Sequence, residues 1–138
     1  KKKKSVILRN LTKEKINVKL FKRKLESFKN KIFLSLKRYN LNSKNLDFFI
    51  YCADIYGMGF HELIKDRCKI KNLIDDNTRI EKNYKFANKI KNFNSVNFSK
   101  KKQPIFFVCI KDLKKFANIK NRIEKSKLID PIVERIVF

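Results

Sequence analysis

The 138-residue chain has no tryptophan, one histidine, one methionine, two glycines, two prolines and three cysteines. Each shortage excludes something. Cys52, Cys68 and Cys109 are odd in number and widely spaced, which makes no disulfide framework and fits a reducing compartment. The single histidine, His61, would need a carboxylate such as Glu62 or Asp66 for acid–base work, and a histidine beside acids is ordinary surface or core. Cys52, His61 and Cys68 are spaced by nine and seven residues, unlike the close pairs of zinc sites. Gly57-Met58-Gly59 lacks the lysine and the third glycine of a phosphate loop, so a helix stop and turn accounts for it. These absences lead to three expectations: no enzyme, no metal and no cofactor or small-molecule substrate.

Long apolar runs are missing too. The longest, residues 48–53 and 105–110, fall far short of the roughly 20 residues that span a bilayer. The opening residues lack the apolar stretch of a secretory signal, and the absence of an initial Met suggests a removed leader or preceding residues.

The acidic residues are the scarcest class relative to need. Against 13 Asp and Glu stand 36 Lys and Arg, a net charge of +23. A compact domain with that charge repels itself unless a polyanion supplies the balance, so nucleic acid or an anionic membrane is implied. Twenty-nine of the basic residues are Lys; 17 Ile, 15 Asn and 13 Phe accompany them. Lys, Asn, Ile and Phe belong to codons of A and T alone, so the composition reads as drift of an AT-rich coding sequence. Mitochondrial and plastid genomes have that character. Residues 1–38 hold 15 basic residues against Glu14 and Glu26, more than half of the excess.

Residues 1–5 read as a basic tail and 6–138 as a single α+β domain. Residues 6–8 and 16–20 have strand character, the latter by alternation with β-branched residues. Leu25, Phe28, Ile32, Leu36 and Tyr39 recur at three and four residues, which predicts an amphipathic helix over 22–39. Residues 43–98 read as a mostly helical insertion. Ser43 would cap a helix that Gly57 ends, although the aromatic run 47–56 is also compatible with a strand; helices near 61–68 and over 78–91 follow. Residues 91–103 form a loop, 105–110 a buried strand, 112–125 a helix, and 132–138 a last strand after Asp130-Pro131. The spacing of Leu113, Phe116, Ile119 and Ile123 marks the helix over 112–125. The expected architecture is a small mixed sheet of strands 16–20, 105–110 and 132–137, with helices 22–39 and 112–125 on one face, the latter burying Leu113, Phe116 and Ile123.

Phe48, Phe49, Tyr51 and Tyr56 have the chemistry to stack on bases, but such clusters more often form core. The candidate nucleic-acid contacts are therefore the basic clusters. They are Lys1, Lys2, Lys3 and Lys4 with Arg9; Lys22, Arg23, Lys24 and Lys29; Lys100, Lys101 and Lys102; and Lys114 and Lys115, with Lys111 and Lys120 nearby. Phosphate contacts of this kind position a protein without reading sequence. Charge spread over many faces fits burial in a large RNA body better than a single DNA-reading helix.

An AT-skewed, Lys-rich, Gly-poor chain with a basic tail resembles an organelle-encoded ribosomal protein. Within that class, Lys15-Ile16-Asn17-Val18-Lys19-Leu20 and the helix to Tyr39 are similar to the first strand and helix of the family of small-subunit ribosomal protein ten. Ser99-Lys100-Lys101-Lys102 ahead of residues 106–113 resembles that family's basic loop, and 127–138 its closing segment. The family's proline-rich loop and its Ser-Pro-His stretch have no counterpart here. The resemblance implies a four-stranded sheet with two helices on one face. It also implies a place in the small-subunit head, against ribosomal RNA and neighbouring ribosomal proteins. The expected compartment is the mitochondrial matrix, with plastid or cytoplasm as alternatives. The rival classes are a basic subunit of another organellar assembly and a DNA-organising protein.

Overall fold

The computed structural model describes residues 19–20, 23–34, 36–41, 43–77 and 90–137. Two compact units divide between Tyr39 and Asn40. In the first, residues 23–34 form helix α1. Its periodic stripe is the less exposed side: Leu25 and Phe28 are half-buried, Ile32 and Leu36 buried.

The second unit runs β1 (Leu46–Tyr51), α2 (Ile55–Ile64), β2 (Ile70–Ile74), β3 (Ile90–Lys91), β4 (Gln103–Cys109), α3 (Leu113–Lys125) and β5 (Ile132–Ile136). The strands form one five-stranded sheet in the order β3-β2-β1-β4-β5, and every pair is parallel. The α+β class expected from the sequence is what the structure shows. Parallel neighbours need crossover connections, and α2 and α3 supply two of them.

Strands β1 and β4 lie in the middle and are buried along nearly their whole length. Parallel strands covered on both faces read as unbroken apolar runs, which is why Phe48-Phe49-Ile50-Tyr51 and Ile105-Phe106-Phe107-Val108 show no alternation. Successive side chains serve opposite faces. On one face Phe48 stacks on Phe107 at 6.0 Å and Phe60 of α2 meets Phe107 edge-on at 5.4 Å. On the other, Phe49, Tyr51, Phe106 and Val108 join Phe93, Val96 and Ile123 of α3.

Several expectations need correction. Residues 43–98 are not a mostly helical insertion, since they supply β1, β2 and β3. The choice between helix and strand for residues 47–56 resolves into a strand followed by the start of α2. Gly57 does not end a helix; it lies in the first turn of α2, where a Cβ would sit 2.0 Å from the Cys52 carbonyl oxygen. Only glycine lets that turn close so tightly. The described sheet is wholly parallel rather than mixed; α3 covers one face of it, and α2, absent from the expected architecture, covers the other. The four-stranded sheet implied by the ribosomal resemblance is therefore not the one observed. Lys19 and Leu20 are helical where a strand was expected. The expected strands at 6–8 and 16–18 lie outside the described residues, as do residues 78–89 of the helix expected over 78–91, whose last two residues are strand β3 instead. Leu113, expected in the core, is 65% exposed, because the apolar stripe of α3 turns inward only at Phe116, Ile119 and Ile123.

Among the described residues no helix is long and apolar enough to cross a membrane.

Candidate nucleic-acid interface

A wholly parallel sheet gathers every segment that enters a strand at one edge and every segment that leaves at the other. The strand order reverses between β1 and β4, and doubly wound sheets usually bind phosphates beyond the carboxyl ends at that point. Here that edge holds carboxylates. Asp54 caps α2 through the Tyr56 and Gly57 N–H groups at 3.0 and 3.3 Å. Asp112 caps α3 through those of Lys114 and Lys115 at 2.9 and 3.2 Å. Asp75 accepts the Ala53 N–H at 2.9 Å, and Asp76 accepts the Phe93 N–H at 3.0 Å. The helix N-termini that would attract a phosphate are thus already occupied by the protein's own anions. Burial lifts the Asp75 carboxyl above the usual carboxylate range and pushes the Cys52 thiol up to about 12. Lys111 is present at this edge but lies over the Tyr56 ring, 4.8 Å from its centre.

The opposite edge has the reverse character. Lys44 precedes β1, Lys69 precedes β2, Lys71 lies in its first turn of pleat, and Lys100, Lys101 and Lys102 precede β4. Hydrogen bonds hold these entrances together. The Gln103 N–H donates to Asn45 O at 2.9 Å, and its side-chain amide donates to Asp130 O at 2.8 Å. Ser43 and Ser99 hydroxyls accept the N–H groups of Asn45 and Lys101, each at 3.2 Å, which fixes both turns.

Between the entrances is a pocket of about 700 Å³ lined by Leu41, Ser43, Leu46, Phe48 and Ile70 together with Lys44, Lys69, Lys71, Lys102 and Asp47. Asp47 is nearly buried, and Lys71 and Lys102 reach it at 3.2 and 3.7 Å. Four lysines around one aspartate leave the pocket strongly positive. Lys71 and Lys102 are some 40% exposed at their side chains, so their ion pairs with Asp47 position more than they stabilise.

Within the second unit, the residues expected to contact nucleic acid do not converge. Lys1, Lys2, Lys3, Lys4, Arg9 and Lys22 lie outside the described residues. Arg23, Lys24 and Lys29 are on α1 in the first unit, with Lys29 5.9 Å from the centre of the Phe33 ring. Lys100, Lys101 and Lys102 are at the lysine edge. Lys114 and Lys115 begin α3 at the carboxylate edge, about 20 Å away by the length of β4. Lys44, Lys69 and Lys71 were missed. Each is an unremarkable lysine in sequence, and only the parallel arrangement of β1, β2 and β4 brings them beside Lys102.

The aromatic candidates divide similarly. Phe48, Phe49 and Tyr51 are core, and Tyr56 is 41% exposed. Among the described residues no three His, Cys, Asp or Glu side chains are placed to hold a metal ion. Compared with known proteins, the chain matches no family model, no curated protein and no solved structure.

Proposed function

We propose that this chain is a structural, non-enzymatic RNA-binding protein: a constituent of an organellar ribosome that grips ribosomal RNA through its phosphates. The observation that carries the reading is the lysine edge, where Lys44, Lys69, Lys71 and Lys102 line one pocket with Asp47, and Lys100 and Lys101 precede Lys102 in the same loop. The net charge of +23 supports the same reading, since a polyanion offsets what the protein cannot. The AT-skewed composition favours the mitochondrion as the compartment, and neighbouring ribosomal proteins as further partners. A place in the head of the small subunit has the sequence resemblance alone as its support.

Salt dependence provides the test. Six phosphate contacts correspond to a loss of roughly 10³ or more in affinity for structured RNA between 50 and 200 mM salt. Alanine at Lys100, Lys101 and Lys102 together should weaken binding to all RNA sequences and flatten that slope. A salt-independent affinity would overturn the reading, as would a protein that stays in its large complex after nuclease digestion at raised salt. Co-sedimentation with small-subunit particles is the expected result in a lysate of the source organelle.

A further inference from the structure

Resting on the RNA-binding reading, we propose that the pocket between the entrances of β1, β2 and β4 takes one unstacked nucleotide of single-stranded RNA, its base on the apolar floor and its phosphates on the lysine rim.

Phosphate binding alone does not account for this pocket. Phosphates are met by lysines on open surfaces, as Lys100 and Lys101 are placed to do, and gain nothing from hydrocarbon. Yet Leu41, Leu46, Phe48 and Ile70 line the same concavity as Lys44, Lys69, Lys71 and Lys102. A volume of about 700 Å³ lies within the roughly 300–1,000 Å³ typical of pockets that seat a small molecule. The combination of apolar floor and cationic rim matches a group with a flat, poorly hydrated base and an anionic backbone. In a duplex the bases are stacked out of reach, whereas loops, bulges and ends can splay one out. Contact of a base with a floor made mainly of Leu41, Leu46 and Ile70 is sequence-tolerant, because every base has a flat, poorly hydrated face. Asp47 adds order: paired to Lys71 and Lys102, it fixes two ammonium groups at the rim instead of leaving them to wander.

The test uses the full chain at fixed low salt and compares a single-stranded RNA ten-mer with a duplex of the same length. Methyl NMR shifts of Leu46 and Ile70 are followed in both titrations. The expected result is at least tenfold tighter binding of the single strand, with both methyls shifting only on its addition. Leu41→Glu should abolish that preference. Lys91→Ala, the same change of charge at the far edge, should leave it intact. Equal affinities with unmoved methyls in the wild-type protein would overturn the nucleotide pocket while leaving phosphate binding in place. Binding to neither RNA would overturn both. Adenosine monophosphate and inorganic phosphate serve as probes of the floor: the nucleotide should shift the methyls and phosphate should not, and equal shifts would reduce the pocket to an anion site.

Discussion

Arg122 on α3 donates from Nη1 to the Asp76 carboxylate, just past the end of β2, at 2.5 Å. The same nitrogen reaches the Tyr51 hydroxyl at 3.2 Å, Nη2 reaches Asn94 Oδ1 at 3.2 Å, and the guanidinium lies 5.0 Å from the centre of the Phe93 ring. The Tyr51 hydroxyl in turn donates to Asp76. One side chain therefore ties α3 to β1, to β2 and to the turn after β3. Both members of the ion pair are 39% exposed, so solvent screens the charge and the hydrogen-bond network matters more. Arg122→Ala should cost about 1–2 kcal/mol, read as a shift in the urea midpoint. Arg122→Lys should recover less than half of it, because an ammonium cannot reproduce the planar fork.

Gly57→Ala tests the turn from β1 into α2. The new methyl would need space already held by the Cys52 backbone carbonyl, 2.0 Å away, and backbone cannot swing aside as a side chain can. Overpacking of this kind costs about 1–3 kcal/mol, a penalty that should outweigh the helix propensity gained. Gly59→Ala is the control, since no atom lies within 4 Å of its Cβ position. Thermal melts should show the first variant falling and the second unchanged or slightly raised.

Asp75 gives a pH dependence whose sign follows from its surroundings. Burial raises its carboxyl, the N–H groups of Asn77 and Ala53 partly oppose the shift, and the Asp54 and Asp76 charges reinforce it. A raised carboxyl means the folded state holds the proton more tightly than the unfolded chain does. This group's contribution is then fully present below the ordinary carboxylate pKa and is lost as pH rises through the raised one. Asp75→Asn removes that loss. The stability of the variant relative to wild type should climb as pH rises above the ordinary carboxylate pKa of about 4. A relative decline over that range would mean the fold favours the charged carboxylate.

The thiols should be inert. Burial pushes both Cys52 and Cys68 up to about 12 from an ordinary 9.0, and Cys109 also well above it. Since the thiolate is the reactive form, alkylation by iodoacetamide at about pH 8 should run on the order of 10³-fold slower in the native protein than in urea. Mass spectrometry after timed quenching reads this directly, and fast native labelling of Cys52 would place its sulfur in a wetter, more cationic setting than the fold provides.

Much of the second half of the fold was legible in the sequence. The apolar run at 105–110 and the spacing of Phe116, Ile119 and Ile123 mark β4 and α3 within one or two residues, and β5 follows the Asp130-Pro131 turn. β1 was ambiguous because a strand buried on both faces loses the alternation that distinguishes it from a helix. β2 and β3 were invisible for another reason. Ile70-Lys71-Asn72-Leu73-Ile74 is short and half polar, and Ile90–Lys91 is two residues long, so only pairing with neighbours makes either a strand. The candidate site inherited that blindness: Lys102 stood out in a run of lysines, whereas Lys44, Lys69 and Lys71 gain meaning only from strands the sequence did not reveal.

The parallel pairing of β1 with β4 has a consequence for how the chain reaches this state. Phe48 is in register with Ile105, so the central pair of the sheet forms only after 57 further residues exist. At roughly 5–20 residues per second of synthesis, β1 waits about 3–11 s with one side unpaired. During that interval Phe48, Phe49, Ile50 and Tyr51 present a sticky, unpaired edge in the crowded space outside a translating ribosome. The dense positive charge of the segment emitted just before them works against self-association in that window, since nascent copies repel one another.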